Sequence, residues 1–182
     1  MAGLKAICVV AHPDDCVIFA RPFIEQYSEF DWTILYLTYS SYDPRAMEMT
    51  AYWQRRNVST VNLGFADDYR DMENNLISFD AAQAQKEIFN ISGKYDLVLT
   101  HNWDGDYGHI HHTFVSNSVH PVLKPKVYFA KYEQSNMECC SVDDINLTEL
   151  PLHRAVVSGF ENINVGRYFA DRAAQELLNG KP

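Results

Sequence analysis

Ala6-Ile-Cys-Val-Val10, followed at once by Ala11-His-Pro-Asp-Asp15, decides how the chain is read. Five apolar residues without alternation fit a strand buried on both faces, the pattern of a parallel sheet covered by helices. The polar turn after it falls where a strand gives way to a helix. Similar runs recur at Thr33–Thr38, Ser59–Leu63, Leu97–Thr100 and Val127–Ala130. Helical stretches lie between them. Asp43 and Pro44 supply an N-cap and a proline at the first helical position, opening a helix to about Asn57, and Asp80 caps another over Ala81–Ile91 that Gly93 ends. Strands alternating with helices of this length predict right-handed βαβ units and one α/β domain over residues 1–182. Beyond Tyr132 the pattern weakens: Cys139–Leu150 reads as an acidic loop and Gly166–Leu178 as a terminal helix.

Composition narrows the classes. The 182 residues are 47% hydrophobic and 21% charged, as in a folded globular protein. Fifteen basic against 24 acidic side chains give a net charge of −9, which argues against nucleic acid and anionic membrane as partners. Arg55-Arg56 reads as a solvated helix face. The first apolar run is too short to cross a bilayer and no cleavage site follows it, so neither a leader nor a membrane span is expected and the compartment is read as cytoplasmic. Cys8, Cys16, Cys139 and Cys140 form no CxxC pair and read as reduced thiols.

Ligands of open α/β sheets bind beyond the carboxyl ends of the strands, so the residues after each strand carry the chemistry. Pro13 biases His12 towards an extended backbone, and Asp14 and Asp15 fall at a helix start, where carboxylates are favoured. His12 and Asp15 can converge while Asp14 points elsewhere, giving a nitrogen and an oxygen ligand for a catalytic zinc. After the fourth strand comes His109-Ile-His-His112. On a helix His109 and His112 share a face and His111 turns away. Either His109 or His112 can complete a three-ligand site, leaving the other beside it for acid–base work at neutral pH.

Ala11-His-Pro-Asp-Asp15 and His109–His112, about a hundred residues apart, resemble the two signature motifs of the LmbE-like, or PIG-L, family of zinc-dependent N-deacetylases. Arg45-Ala-Met-Glu48 and Leu63-Gly-Phe-Ala-Asp67 resemble further segments of that family, so the likeness spans most of the first 120 residues. With the strand pattern it implies a Rossmann-like three-layer sandwich around a mainly parallel sheet, with a metal site at the C-terminal strand ends. Position by position, the resemblance assigns His12, Asp15 and His112 as metal ligands and Asp14 as the general base. It assigns His109 to the developing oxyanion and the leaving amine, and Arg45 and Asp67 to the substrate.

One divalent ion, most simply Zn2+, and a small-molecule amino-sugar substrate follow from the resemblance, and a homo-oligomer is compatible with it. The chain departs from the family at Cys16, where Glu is usual, and at His111, where Asp is usual. Cys16 reads as a small packed hydrophobe, His111 as a surface group or one acting through a neighbour, and Asp104 or Asp106 as the replacement for the missing Asp. His101, Asn102 and Asp104 are candidates to orient a ligand imidazole. Tyr39, Tyr42, Trp103 and Tyr107 are candidates to stack on a sugar, and Met47, Met49 and Trp53 read as core. A non-catalytic metal or sugar-binding module, and a two-metal phosphoesterase, are the competing readings.

Overall fold

The computed structural model describes residues 3–67, 69–70, 76–77, 79–131, 134–138, 145–160 and 166–180. In chain order the strands are β1 (Lys5–Val10), β2 (Asp31–Thr38), β3 (Ser59–Phe65), the short pair β4 (Tyr69–Arg70) and β5 (Leu76–Ile77), then β6 (Leu97–Thr100), β7 (Lys126–Phe129), β8 (Met137–Glu138) and β9 (Arg167–Ala170). The helices are α1 (Arg21–Gln26), α2 (Pro44–Gln54), α3 (Ala81–Ser92), α4 (Ile110–Val119), α5 (Arg154–Ser158) and α6 (Arg172–Asn179).

The main sheet runs β3-β2-β1-β6-β7-β9-β8. Its first five strands are parallel, and β9 and β8 close one edge antiparallel. This is the mainly parallel sandwich expected. β1 shows why its sequence is apolar throughout. Ala6, Cys8 and Val10 pack into the core on one face of the sheet, and Ile7, Val9 and Ala11 into the core on the other, beside Val115 and Val119 of α4 and Ala84 and Ile88 of α3. The order of strands reverses between β1 and β6, because β2 and β3 extend the sheet one way and β7 the other. A crevice opens there at the carboxyl ends, and both histidine motifs flank it.

Helix starts follow the sequence closely. Asp43 accepts the Arg45 amide at 2.8 Å and Asp80 the Gln83 amide at 3.0 Å. α2 turns Ala46, Met49 and Trp53 inward at spacings of three and four, which leaves Met47 on the outside at 55% exposure rather than in the core. Arg55 and Arg56 are not merely solvated: both hold Glu149, at 3.0 and 3.2 Å. The expected terminal helix is shorter than read. Tyr168 and Ala170 are buried alternately in β9, paired with β7, and Asp171 caps α6 by accepting the Ala174 amide at 2.8 Å. An alternation of four residues was hidden inside a helix-compatible run. Cys139–Ser141 and the acidic stretch after it lie largely outside the described residues.

A wide π turn, Cys16–Ala20, links the site to α1, and every residue of it is buried. Such turns free backbone groups from the regular ladder. Tyr168 satisfies two of them. Its hydroxyl donates to Phe19 O at 2.7 Å and accepts the Phe23 N–H at 3.2 Å, tying the C-terminal strand to the floor of the crevice. Tyr168→Phe strands both backbone groups and is expected to cost about 1–3 kcal/mol, read as a lower urea midpoint at unchanged slope.

Candidate metal centre

The ends of β1 and β6 are stitched together before any ligand arrives. Ala11 O accepts the Thr38 amide and hydroxyl at 3.0 and 2.8 Å, and the Ala11 amide donates into His101 Nε2 at 3.1 Å. One residue on, His12 turns its amide to Asp15 Oδ2 at 2.8 Å, so the turn folds back and brings carboxylate and imidazole together.

The loop after β6 is wound around Asn102. Its Oδ1 accepts the Asp104 and Asp106 amides at 2.9 and 3.0 Å, while Asp106 Oδ1 accepts the Asn102 amide at 3.1 Å. Gly105 is left-handed at φ +70°, and a Cβ there would come within 2.5 Å of His109 O and Thr113 Oγ1. Asp106 itself sits at φ +64°, a strained position for a residue other than glycine. The loop thereby delivers the Asp106 carboxylate to His112 Nδ1 at 2.9 Å and to a hydrogen bond with His101 Nδ1. His109 caps α4, its Nδ1 accepting the His111 amide at 3.2 Å.

Three donor groups then meet. His12 Nδ1 lies 3.2 Å from Asp15 Oδ2 and 3.3 Å from His112 Nε2, and Asp15 Oδ1 lies 3.3 Å from His112 Nε2. A four-coordinate zinc with bonds of about 2.0–2.1 Å holds its ligands about 3.3–3.4 Å apart, so the two imidazoles stand at ligand spacing from each other, and each from one oxygen of Asp15, Oδ2 for His12 and Oδ1 for His112. Behind each imidazole is a carboxylate: Asp106 on His112 Nδ1, and Asp67 Oδ1 at 3.3 Å from His12 Nε2. That arrangement fixes ring orientation and makes the ligand nitrogens more basic. Nitrogens of His12, His109 and His112 also fall within 4.8 Å of one another, as do groups of Asp15, His101 and His112. His101 is excluded as a ligand because its Nε2 already takes the Ala11 amide.

Charges follow from contacts. Burial opposes ionisation of Asp15, yet His112 and His12 against it hold its pKa well below the usual carboxylate range. Burial likewise opposes a charge on His12, but Asp15 and Asp67 outweigh it and raise its pKa to about 9. Asp14 goes the other way, lifted by burial and by Asp15. Its Oδ1 accepts no hydrogen bond from any described residue, and Arg45 Nη2 stands 3.6 Å away. His109 is pushed down to about 3 by burial and by the neighbouring His112 and His12. It is therefore neutral, and its cap bond through Nδ1 leaves the proton on Nε2.

A cleft of about 240 Å³ lies over the centre, lined by His12, Asp14, Asp15, Asp67 and His109 on its polar side and by Ile18, Val156 and Phe160 among its apolar groups. Arg45 and Asp67 both reach it. They are joined by Tyr39, left-handed at φ +65°, whose hydroxyl accepts from Arg45 at 2.8 Å and donates to Asp67 at 2.6 Å. Tyr107 also lines the cleft, but Tyr42 and Trp103 do not.

Two readings need correction. His111 does not turn away to the surface: it is 1% exposed, with Nδ1 3.2 Å from His12 Nε2, because His109 is the cap before α4 rather than a residue within it. Asp104 pairs with Lys131 and leaves the orienting role to Asp106. Cys16 packs as expected, fully buried, donating to Pro13 O at 2.9 Å and accepting from Trp53 Nε1 at 2.9 Å. Burial pushes its thiol up to about 12.

Glu48, one turn after Arg45, pins the chain beyond residue 150, a long-range pairing that no local pattern in the sequence carries. It accepts the Leu152 and His153 amides at 2.9 and 3.2 Å and bonds the His153 ring, which places Val156 and Phe160 against the cleft.

The family model for GlcNAc-PI de-N-acetylase, PIG-L, matches residues 7–123, which include every residue of this centre. The chain belongs to the PIG-L family. A relative from Acanthamoeba polyphaga mimivirus, described as uncharacterized protein L374, is 26% identical over 145 residues, covering 72% of this chain and 63% of that protein. The chain thus spans less than two-thirds of that relative's length. Among solved structures, N,N′-diacetylchitobiose deacetylase from Pyrococcus horikoshii superposes with a TM-score of 0.56 at 17% identity, covering 89% of this chain and 72% of that one. The 4-carboxy-2-hydroxymuconate hydratase GalB from Pseudomonas putida does so at 0.54 and 12%, covering 88% and 80%. At such identities the likeness is one of fold, and the fold serves more than one chemistry. No helix among the described residues is long and apolar enough to cross a membrane.

Asp106→Ala frees the His112 ring and is expected to weaken zinc binding 10- to 100-fold in a competition titration against a chromogenic chelator. In the metal-free protein the raised pKa of His12 has a further consequence. Its charged form stabilises the fold fully below about pH 6.5, and that contribution is lost as pH climbs through about 9. Thermal midpoints measured with chelator present should therefore fall over this window, and His12→Gln should flatten the fall; an equal slope in the variant would refute the assignment.

Proposed function

We propose that the chain is a metal-dependent N-deacetylase that removes an acetyl group from an amino sugar or amino-sugar conjugate. The observation that carries this reading is that His12 Nδ1 and His112 Nε2 stand 3.3 Å apart, each with one oxygen of Asp15 at 3.2–3.3 Å, beside a cleft lined by His12, Asp14, Asp15 and His109. Family membership supports the reaction, and the chitobiose deacetylase among its structural neighbours supports an acetylated sugar as substrate class. The cleft is smaller than the roughly 300–1,000 Å³ of drug-sized sites, which suits one sugar ring and its acetamide with the rest of a conjugate outside.

A divalent cation held by His12, Asp15 and His112, most simply zinc, supplies Lewis acidity that makes water nucleophilic at neutral pH and polarises an amide carbonyl. The remaining work falls to side chains. Asp14, with its raised pKa and an oxygen free of hydrogen bonds from described residues, takes the proton from the attacking water. As the water oxygen bonds to the carbonyl carbon, His109 meets the charge on the carbonyl oxygen through Nε2–H, as a neutral donor. When the C–N bond breaks, the proton held by Asp14 passes to the amine nitrogen, and acetate and the free amine leave. Arg45, Tyr39 and Asp67 form a linked polar wall for the sugar hydroxyls.

The test is acetate release from a panel of N-acetylglucosamine conjugates, with metal measured on the same samples. Wild type should carry the ion and release acetate. Asp14→Asn should keep the ion and lose about 10²- to 10⁴-fold in rate. His112→Ala should lose the ion held with His12 and Asp15, and the hydrolysis with it. Undiminished hydrolysis by Asp14→Asn would remove Asp14 as the base. Tight sugar binding without turnover by zinc-loaded wild type would make the chain a binding module instead.

A further inference from the structure

His12 has two ring nitrogens, and each faces its own set of ligands. Nδ1 belongs to the triangle with Asp15 and His112. On the opposite side Nε2 lies 3.2 Å from His111 Nδ1 and 3.3 Å from Asp67 Oδ1, and His111 Nδ1 lies 3.5 Å from Asp67 Oδ1. We propose that His12 Nε2, His111 Nδ1 and Asp67 Oδ1 form a second divalent-cation site that shares the His12 imidazole with the first.

The spacing of these three atoms is again close to one face of a four-coordinate site with bonds of about 2.0–2.2 Å. Their donor atoms all lie within 4.8 Å of one another. Hydrogen bonding serves the cluster incompletely, since each edge needs a proton placed on one atom and a lone pair on the other, and three atoms cannot satisfy three edges that way. A cation in the middle uses all three lone pairs at once. The groups are held in place without it. His111 is buried on the first turn of α4 with its ring against Phe79 at 5.7 Å, and Asp67 is fixed through its other oxygen by the Tyr39 hydroxyl at 2.6 Å. The Asp67 side chain is 29% exposed and lines the cleft, so the site has an entry path and room for water as the fourth ligand.

The histidine at position 111 is what creates the site, by adding a nitrogen where the family motif usually has Asp. Two nitrogens and one carboxylate suit zinc, cobalt, nickel or copper, and not magnesium or calcium, which take oxygen ligands. With the first site loaded, His12 Nε2 carries a proton. A second ion would displace that proton to solvent, so that His12 would serve one site through each of its two nitrogens. Asp67 is then drawn from the substrate wall to a cation. The proposal does not depend on what reaction the chain performs, and shares only His12 with the first site.

The test is equilibrium dialysis of tag-free, chelator-stripped protein against rising Zn2+, followed by elemental analysis, with Co2+ absorption as a second readout. Wild type should saturate at two ions per chain. His111→Ala and Asp67→Asn should each saturate at one, and His112→Ala also at one, since it spares the second triangle. Co2+ should give two successive tetrahedral absorption steps in wild type and a single step in each variant. Circular dichroism identifies any variant that fails to fold. Wild type saturating at one ion, lost in His112→Ala and kept in His111→Ala, would overturn the second site and leave the first intact. One ion lost in His111→Ala and kept in His112→Ala would do the reverse.

Discussion

The carboxylate of Asp106 lies between two imidazoles, bonded to His101 Nδ1 on one side and 2.9 Å from His112 Nδ1 on the other. That one contact sets the tautomers at the centre of the molecule. With its proton on Nδ1, His101 presents a lone pair at Nε2, and the Ala11 amide takes it, joining β1 to the end of β6. With a proton held on Nδ1, His112 would offer a cation beside His12 and Asp15 the lone pair of Nε2 once the proton there is displaced. A single anion thus orders a structural hydrogen bond and a ligand lone pair together. The left-handed backbone at Asp106 and the close packing around Gly105 are the cost of putting it there, and the Asn102 side chain, holding two loop amides, offsets it.

Much of this was legible in the sequence, and for identifiable reasons. β1 and β6 are read correctly because strands buried on both faces must be apolar at every position, and α2 and α3 because Asp43 and Asp80 cap them. Convergence of His12 and Asp15 follows from a turn only four residues long. β9 was not legible: four residues of alternating burial carry too little pattern to compete with the helix that follows, and its pairing with β7 is a long-range choice. Nor was the position of His111. Whether it points in or out depends on where α4 begins, and that is set by which residue takes the cap. A histidine at the cap is uncommon, and counting from His109 as a helical residue rotates its successors to the wrong side.

Replacement of the family's Asp by His111 also changes what His109 can be. A carboxylate at that position would favour a charge on its neighbours. A third imidazole does not, and burial together with His112 and His12 keeps His109 neutral. Its bond to the His111 amide fixes the proton on the other nitrogen, so the ring can donate one hydrogen bond without first acquiring a proton. A neutral donor can answer charge that develops on an oxygen, whereas in the reaction proposed above the proton for the leaving group would be carried by Asp14, whose buried carboxyl is displaced towards neutrality. Their surroundings shift the two groups in opposite directions, which is what the proposed division of work requires.

Asp67 joins regions that would otherwise be separate. One oxygen stands behind His12 and beside His111, and the other accepts the Tyr39 hydroxyl, which in turn accepts from Arg45. Anything that moves the Asp67 carboxylate therefore acts both on the basicity of a metal-facing imidazole and on the wall a substrate would meet. An altered Michaelis constant in an Asp67 variant would not by itself identify a substrate contact, because His12 would have changed as well. Arg45 offers the cleaner separation. It reaches the same wall through Tyr39 and stands on α2, behind no ligand ring, but its Nη2 also lies 3.6 Å from Asp14 Oδ1, so an Arg45 variant at unchanged metal content separates the wall from the metal centre and not from Asp14.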